Sequence, residues 1–191
     1  IFGRSDWQYV LNTFCFGYNV GYRFIKSEGG VCNGNFLGLG ADDCHTSLVV
    51  DESAPFGLLI TNGEFVSFHG PDPTMVEVKG THTGAVRFVN CAFWGPCHQI
   101  AKIDGRGTVG FSDCTFVQWD SKKEGRHAIR ANGGTLLVRG CEFREAKPQV
   151  HLAEGVRRAV ITDNVFNGAA QIANLSAGSV QIANNAAGKG H

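Results

Sequence analysis

Four short segments of this 191-residue chain alternate small apolar residues with charged or polar ones. Successive side chains of a β-strand face opposite sides, so the apolar residues predict a buried face and the others a solvent-facing one. The outward residues form two predicted rows: Glu77, Lys102, Arg130 and His151 in one, and Lys79, Asp104 and Asn132 in the other. Such rows fit either a groove that binds a polysaccharide or simple cross-strand ion pairs on a solvated sheet.

Two further groups carry residue types that are used in catalysis on sugars. Asp42 and Asp43 are adjacent in the sequence, and His69 follows about one repeat later. Paired carboxylates can act as general acid and as activator of water across a glycosidic bond, although Asp-Asp is also common in turns. Trp94 and Trp119 are candidates for stacking on sugar rings, a role that a packed loop would fill equally well with the same residues.

The segments that must position these residues belong to an internal repeat. A corner of the type Asn/Asp-Gly/Cys-x-Phe recurs, and its phenylalanines are Phe36, Phe65, Phe93, Phe116, Phe143 and Phe166. Their intervals of 23–29 residues, combined with short β-branched runs at a fixed phase, predict a solenoid in which each turn, here called a coil, contributes three short strands. Strand one carries the two polar rows, strand two leads to the corner, and strand three holds the phenylalanine. The sequence shows no sustained helical period.

The corners and the strand pattern resemble those of the right-handed parallel β-helix in the pectate-lyase-like superfamily, over about residues 7–187. This resemblance implies an all-β, single-domain right-handed parallel β-helix of about seven coils that spans residues 1–191. The first of the recurring corners is placed at Asn33-Gly34, and the six phenylalanines are expected to stack as one column inside the helix.

The resemblance also implies a function and roles for individual residues. Enzymes of this superfamily generally act on the face formed by strand one, with Arg or Lys as the base. By this resemblance Arg130 is the base, Lys102 neutralises a uronate carboxylate, and Asp104 is a polar contact. The segment Gly40 to Cys44 resembles the Gly-Asp-Asp-Cys motif of polygalacturonases, and Phe68-His69-Gly70 resembles their Gly-His-Gly, which implies hydrolysis instead of elimination.

Composition narrows the partners and cofactors that we expect. The chain has equal numbers of acidic and basic residues, which argues against nucleic acid as a partner, and no apolar run approaches the length of a membrane-spanning helix. Cys91, Cys114 and Cys141 occupy the same corner position in three successive coils. We expect either that all three are small buried thiols or that one neighbouring pair forms a disulfide. We predict neither a metal site nor a cofactor, because Cys97-His98 lacks the paired spacing of a zinc site.

These patterns leave two functions open. The first is a polysaccharide-active enzyme, either a lyase or a glycoside hydrolase, that acts on a possibly acidic glycan in a groove along strand one. The second is a non-catalytic structural or carbohydrate-binding β-helix, such as an adhesin, a spike or an enzyme fragment. Both fit a secreted or cell-surface protein. We also expect the chain to be a piece of a longer protein that lacks its N-terminal cap. Oligomerisation is then expected through the uncapped first coil, whose strand edges are open.

Overall fold

The computed structural model describes residues 1–188, which form a parallel β-solenoid of about seven turns in which no helix occurs. In chain order the strands are β1 (Ser5–Phe16), β2 (Val20–Phe24), β3 (Cys32–Cys44), β4 (Thr46–Val50), β5 (Leu58–Thr61), β6 (Glu64–Ser67), β7 (Thr74–Val78), β8 (Ala85–Val89), β9 (Ala92–Phe93), β10 (Gln99–Ile103), β11 (Thr108–Ser112), β12 (Thr115–Phe116), β13 (Ile129–Ala131), β14 (Gly134–Arg139), β15 (Glu142–Phe143), β16 (Val150–Leu152), β17 (Val156–Thr162), β18 (Val165–Phe166), β19 (Ile172–Asn174), β20 (Ser179–Ala183) and β21 (Ala186–Ala187).

The strands form two sheets in which neighbours come from successive coils. Sheet A has the order β19-β16-β13-β10-β7-β4-β2 and corresponds to the predicted strand one. Sheet B contains strands two and three of each coil; β3 is long enough to pair with both β5 and β6, and β1 pairs with β3. All of these pairings are parallel, so the prediction of an all-β parallel β-helix is confirmed.

The corners between strands two and three depend on a left-handed backbone conformation. Residues 62, 90, 113, 140, 163 and 184 have φ between 51° and 62°, and each is Asn, Asp or Gly, the residues that adopt this conformation at least cost. In the second coil the predicted corner at Asn33-Gly34 was wrong. The turn there is made by Gly38 (φ 68°), and Asn33 and Gly34 lie near the start of β3.

The core is built from stacked aromatic rings. Phe65, Phe93, Phe116, Phe143 and Phe166 form one column with ring centroids 4.6–5.4 Å apart. The sixth predicted member, Phe36, is not part of it: it pairs in register with Ile60 in the strand-two part of the sheet, and its ring packs against Phe2 and Phe24. The displaced corner explains this error, because Ala41 occupies the position equivalent to Phe65.

The corner thiols are buried beside the aromatic column. Cys91, Cys114 and Cys141 are free and at most 2% exposed. A hydrogen bond with Cys114 and burial together raise the pKa of Cys91 far above its usual value. The three residues therefore fill space in the core as small apolar groups, as one of the two sequence-based readings predicted.

Candidate functional site

A cleft of about 430 Å³ lies on the outer face of sheet A, where loops rise beside the strands. Its floor comes mainly from β7, β10 and β13, and its walls come from the loops that precede these strands and from the start of β4. The lining residues are His45, Thr46, Asp72, Thr74, Glu77, His98, Gln99, Lys102, Arg126, Arg130 and Asn132. Three of them are Lys or Arg and two are carboxylates, so the cleft has mixed charge with a cationic excess.

The strand register aligns the two predicted polar rows. Glu77 pairs with Lys102, Lys102 with Arg130, and Arg130 with His151, so these four residues lie side by side across four strands. Lys102 Nζ lies 3.4 Å from Asp104 and 3.9 Å from Glu77, which in turn is 2.7 Å from Lys79. The floor is therefore a network of partly exposed ion pairs, each of which contributes little to stability.

Arg130 differs from the other cations that line the cleft. Its Nε donates a hydrogen bond to Asn132 Oδ1 at 3.0 Å, and Asn132 in turn donates to Asp104. Lys102 and Arg126 each have a carboxylate within 4 Å, whereas Arg130 has none among residues 1–188. The guanidinium is thus held in place by an amide, and its charge is left without an opposite charge.

Two histidines lie beside Arg130, just beyond the cleft lining. The rings of His151 and His127 are 5.2 Å apart in an edge-to-face arrangement. Burial, and second the charge of Arg130, lower the pKa of His151; burial, His151 and Arg130 do the same for His127. Both imidazoles are consequently neutral near pH 7 and able to accept a proton. The sequence pointed to His151 directly, and to His127 only as the last residue of the charged loop 120–127.

The loop of residues 120–127, here called the strap, passes beside the cleft and contributes Arg126 to its lining. The sequence left two readings of this charged loop open, a solvated loop or a rim of the groove, and the structure agrees with the second. Asp120 fixes its shape by accepting hydrogen bonds from the backbone N–H groups of Glu124 and Gly125. Lys122 Nζ reaches across to Asp72 Oδ1 at 2.7 Å, a contact between residues 50 positions apart. The strap therefore connects the wall of one coil to the wall of another two coils away.

His98 lies under the strap and was missed as a cleft residue. Its side chain is 3% exposed, and Nε2 lies 3.2 Å from Glu124 Oε2 and 3.9 Å from Asp72 Oδ1. Neither ring nitrogen makes a hydrogen bond within the described part of the chain. A sequence signal did exist: His45 and His98 each come directly before a strand of sheet A, and both line the cleft.

The residues that resemble a hydrolase motif form a separate group outside the cleft lining. His69 Nδ1 lies 3.9 Å from Asp43 Oδ1, and Asp42 Oδ1 accepts a hydrogen bond from the backbone N–H of Asp43 at 2.7 Å. Asp43 has a left-handed φ of 52°. The structure thus brings Asp43 and His69 together, while one oxygen of Asp42 is engaged in shaping the turn.

The two tryptophans have different environments. Trp94 is 44% exposed and is available at the surface. The expectation that Trp119 stacks on a sugar ring was wrong, because its side chain is fully buried. Its indole N–H donates a hydrogen bond to the Pro148 carbonyl at 2.8 Å, and its ring packs edge-on against Phe143. That hydrogen bond removes the cost of burying the indole nitrogen.

Within residues 1–188, no group of three or more His, Cys, Asp or Glu side chains has an arrangement that could hold a metal ion. The same part of the chain contains no helix that is long and apolar enough to cross a membrane. Comparison of the chain with protein-family models, with curated proteins and with solved structures found no match. The parallel β-helix fold therefore stands on the strand pairing alone, and function has to be argued from the cleft.

Proposed function

We propose that the chain is a polysaccharide-active β-helix protein, similar to the pectate-lyase-like superfamily, that binds and cleaves an acidic glycan in the cleft on sheet A. One observation carries this proposal: Arg130 is an exposed, oriented guanidinium that has no carboxylate partner in the described chain. A uronate carboxylate supplies the missing charge with the planar geometry that a guanidinium prefers. Lys102, in the adjacent strand, is the second cation along the floor.

The chemistry that best suits this arrangement is β-elimination, with roles that differ in part from those implied by the family resemblance. An arginine stays protonated in the pH range of most enzymes, so Arg130 neutralises the carboxylate and thereby acidifies the proton on the neighbouring carbon. His151, neutral and in the next strand, accepts that proton. A double bond then forms between C4 and C5, the C4–O bond breaks, and solvent protonates the leaving oxygen.

Hydrolysis is a second candidate because Asp43 and His69 approach each other in the structure. In that reaction a carboxylate activates water and the products carry no double bond. Non-catalytic glycan binding by the same cleft is the remaining alternative. The three possibilities lead to different products, which allows one assay to separate them.

The deciding experiment incubates the chain with polygalacturonate, alginate and a neutral glycan, and follows both unsaturated uronate absorbance and new reducing ends. Elimination gives both signals on an acidic substrate. Reducing ends without absorbance indicate hydrolysis at Asp43. Binding without either signal indicates a non-catalytic module. No binding to any acidic glycan would contradict the proposal.

Variants test the assigned roles. We expect Arg130→Ala to weaken glycan binding about 10- to 100-fold, which corresponds to about 1.5–3 kcal/mol for hydrogen bonds to a charged group. The matched control is Arg139→Ala, an exposed arginine on sheet B. His151→Ala should lower kcat with little effect on KM, and wild-type kcat should fall as the pH drops through the lowered pKa of His151. Equal effects of the Arg130 and Arg139 substitutions would exclude the cleft.

A further inference from the structure

The outer face of sheet B carries an unusual concentration of exposed apolar side chains at the first three coils. Six side chains, here called the β1 patch, are involved, and their exposed fractions range from 37% to 79%: Trp7, Tyr9, Leu11, Leu37, Phe56 and Leu59. The register holds them together, since Leu11 pairs with Leu37, and Tyr9 and Leu59 flank Asn35. Trp7, Phe56 and Leu59 line a shallow groove of about 270 Å³.

The β1 patch is specific to this end of the molecule. The position of Leu59 is taken by Arg87 in the next coil and by Gly110 in the one after that. Arg87 therefore borders the patch towards the next coil, and the Arg4–Asp6 ion pair directly precedes Trp7 in the chain. An apolar centre that includes aromatic rings and is bordered by charged residues is the usual anatomy of a protein–protein interface.

The side chains of the patch project away from the sheet and not along the solenoid axis, because strand side chains stand roughly perpendicular to their sheet. A further coil stacked on β1 would pair with its open edge but would leave the patch in water. Within residues 1–188, β1 pairs only with β3, so the patch lies beside an open strand edge. Solvent exposure of the patch calls for a partner that approaches from the side.

The size and charge of the patch fit a second copy of this chain. If each fully exposed large apolar side chain presents roughly 150–250 Å², the six together present roughly 500–900 Å². This is about the 800 Å² per partner of a standard interface, and it is at or above the largest patch on a typical monomer. In a two-fold dimer each residue near the axis meets its own equivalent, so an uncharged patch avoids repulsion between like charges.

We propose that the chain forms a two-fold dimer through the β1 patch. This interface lies on sheet B, on a different sheet from the cleft, and does not depend on the proposed function. It differs from end-to-end stacking through the open edge of the first coil because it leaves that edge free and stops at two copies.

Sedimentation of the 191-residue chain over a range of micromolar concentrations tests the proposal. We expect a species of twice the 20.5 kDa chain mass. Leu59→Glu places one carboxylate per copy at the contact, two in the dimer, and should weaken dimerisation at least about 30-fold. The matched control is Leu137→Glu, because Leu137 occupies the same column as Leu59, three coils farther along.

Circular dichroism and thermal unfolding establish that both variants remain folded, as expected for substitutions on the outer face. A dimer that Leu59→Glu dissociates and Leu137→Glu preserves supports the proposal. A wild-type chain that is monomeric at every concentration would overturn the proposal. If a neutral oligosaccharide also quenches the fluorescence of Trp7 in that monomer, the patch binds a carbohydrate and not a second copy. A dimer that both variants preserve, or a mass that keeps growing with concentration, would overturn it as well.

Discussion

His82 is a fully buried histidine whose titration should control the acid stability of the fold. Its Nε2 lies 2.9 Å from the Ser53 hydroxyl, and its Nδ1 has no partner within the described residues. Burial lowers the pKa of His82 from 6.5, and Glu52 opposes this only in part. The unfolded chain therefore binds a proton at a pH where the folded chain does not, so stability is lost as the pH falls below 6.5.

We predict that the melting temperature falls between pH 7.5 and pH 5, and that His82→Asn falls less steeply than the wild type. The limiting slope from one such histidine is about 1.4 kcal/mol per pH unit. Hydrogen bonds from Thr83, Ser53 and Gly84 outweigh burial and lower the pKa of Glu52 below 4.5. Glu52 therefore titrates only at lower pH and does not contribute to the slope between pH 7.5 and pH 5. Thermal unfolding across the pH series provides the measurement.

The control for this prediction is His69→Asn, since the His69 side chain is 64% exposed. It should keep the wild-type slope. His127 and His151, whose pKa values are also lowered, should retain part of the slope in the His82 variant. If the His82 and His69 variants both follow the wild type, burial of His82 is not the source of the acid sensitivity.

At the level of elements, the strap is held by contacts between coils. Lys122 bonds to Asp72, and this contact is the largest cause of the lowered pKa of Asp72. Glu124 lies over His98 and also contacts Arg126. Since exposed ion pairs contribute at most about 1 kcal/mol, the strap should open locally without unfolding of the solenoid.

We predict that Lys122→Ala speeds amide hydrogen exchange in residues 120–127 while the free energy of unfolding changes by less than about 1 kcal/mol. The neighbouring Lys123 has no ion pair among the described residues, so Lys123→Ala is the matched control and should leave exchange unchanged. Exchange mass spectrometry resolves this segment. Identical exchange in the two variants would mean that the Lys122–Asp72 contact does not hold the strap in place.

The difference between what could and could not be predicted from the sequence follows from this arrangement. The floor residues Glu77, Lys102 and Arg130 recur at one phase of the repeat, and strand alternation correctly turned them outward. The walls come from loops of unequal length, and contacts such as Asp72–Lys122 have no periodic signal. Asn33-Gly34 looked like a corner because Asn-Gly favours turns, but Gly38 makes the turn four residues later.

For the whole molecule, the aromatic column forms a continuous series of contacts through the core from Phe65 to Phe166. Phe116 stacks on Phe93 at 5.4 Å and on Phe143 at 4.6 Å, and it meets Phe111 edge-on. In a solenoid each coil is stabilised mainly by its neighbours, so a defect in a central coil weakens two interfaces.

We predict that Phe116→Ala lowers the free energy of unfolding by about 3–5 kcal/mol, from lost burial together with the cavity that remains. Phe68→Ala is the control, because Phe68 is 45% exposed, and it should cost less than about 1 kcal/mol. Chemical denaturation measures both. Similar losses for the two variants would show that the column does not dominate the stability of the core.

The register of sheet A also sets a scale of length. Equivalent side chains on neighbouring parallel strands are about 4.8 Å apart, so the residues in the row from Glu77 to His151 are evenly spaced along the solenoid axis. A linear polymer that lies along that axis contacts one side chain of the row after another, whereas a single sugar contacts only one or two. Loops can lengthen or shorten between coils without changing the spacing of these side chains, because the strands and not the loops set it.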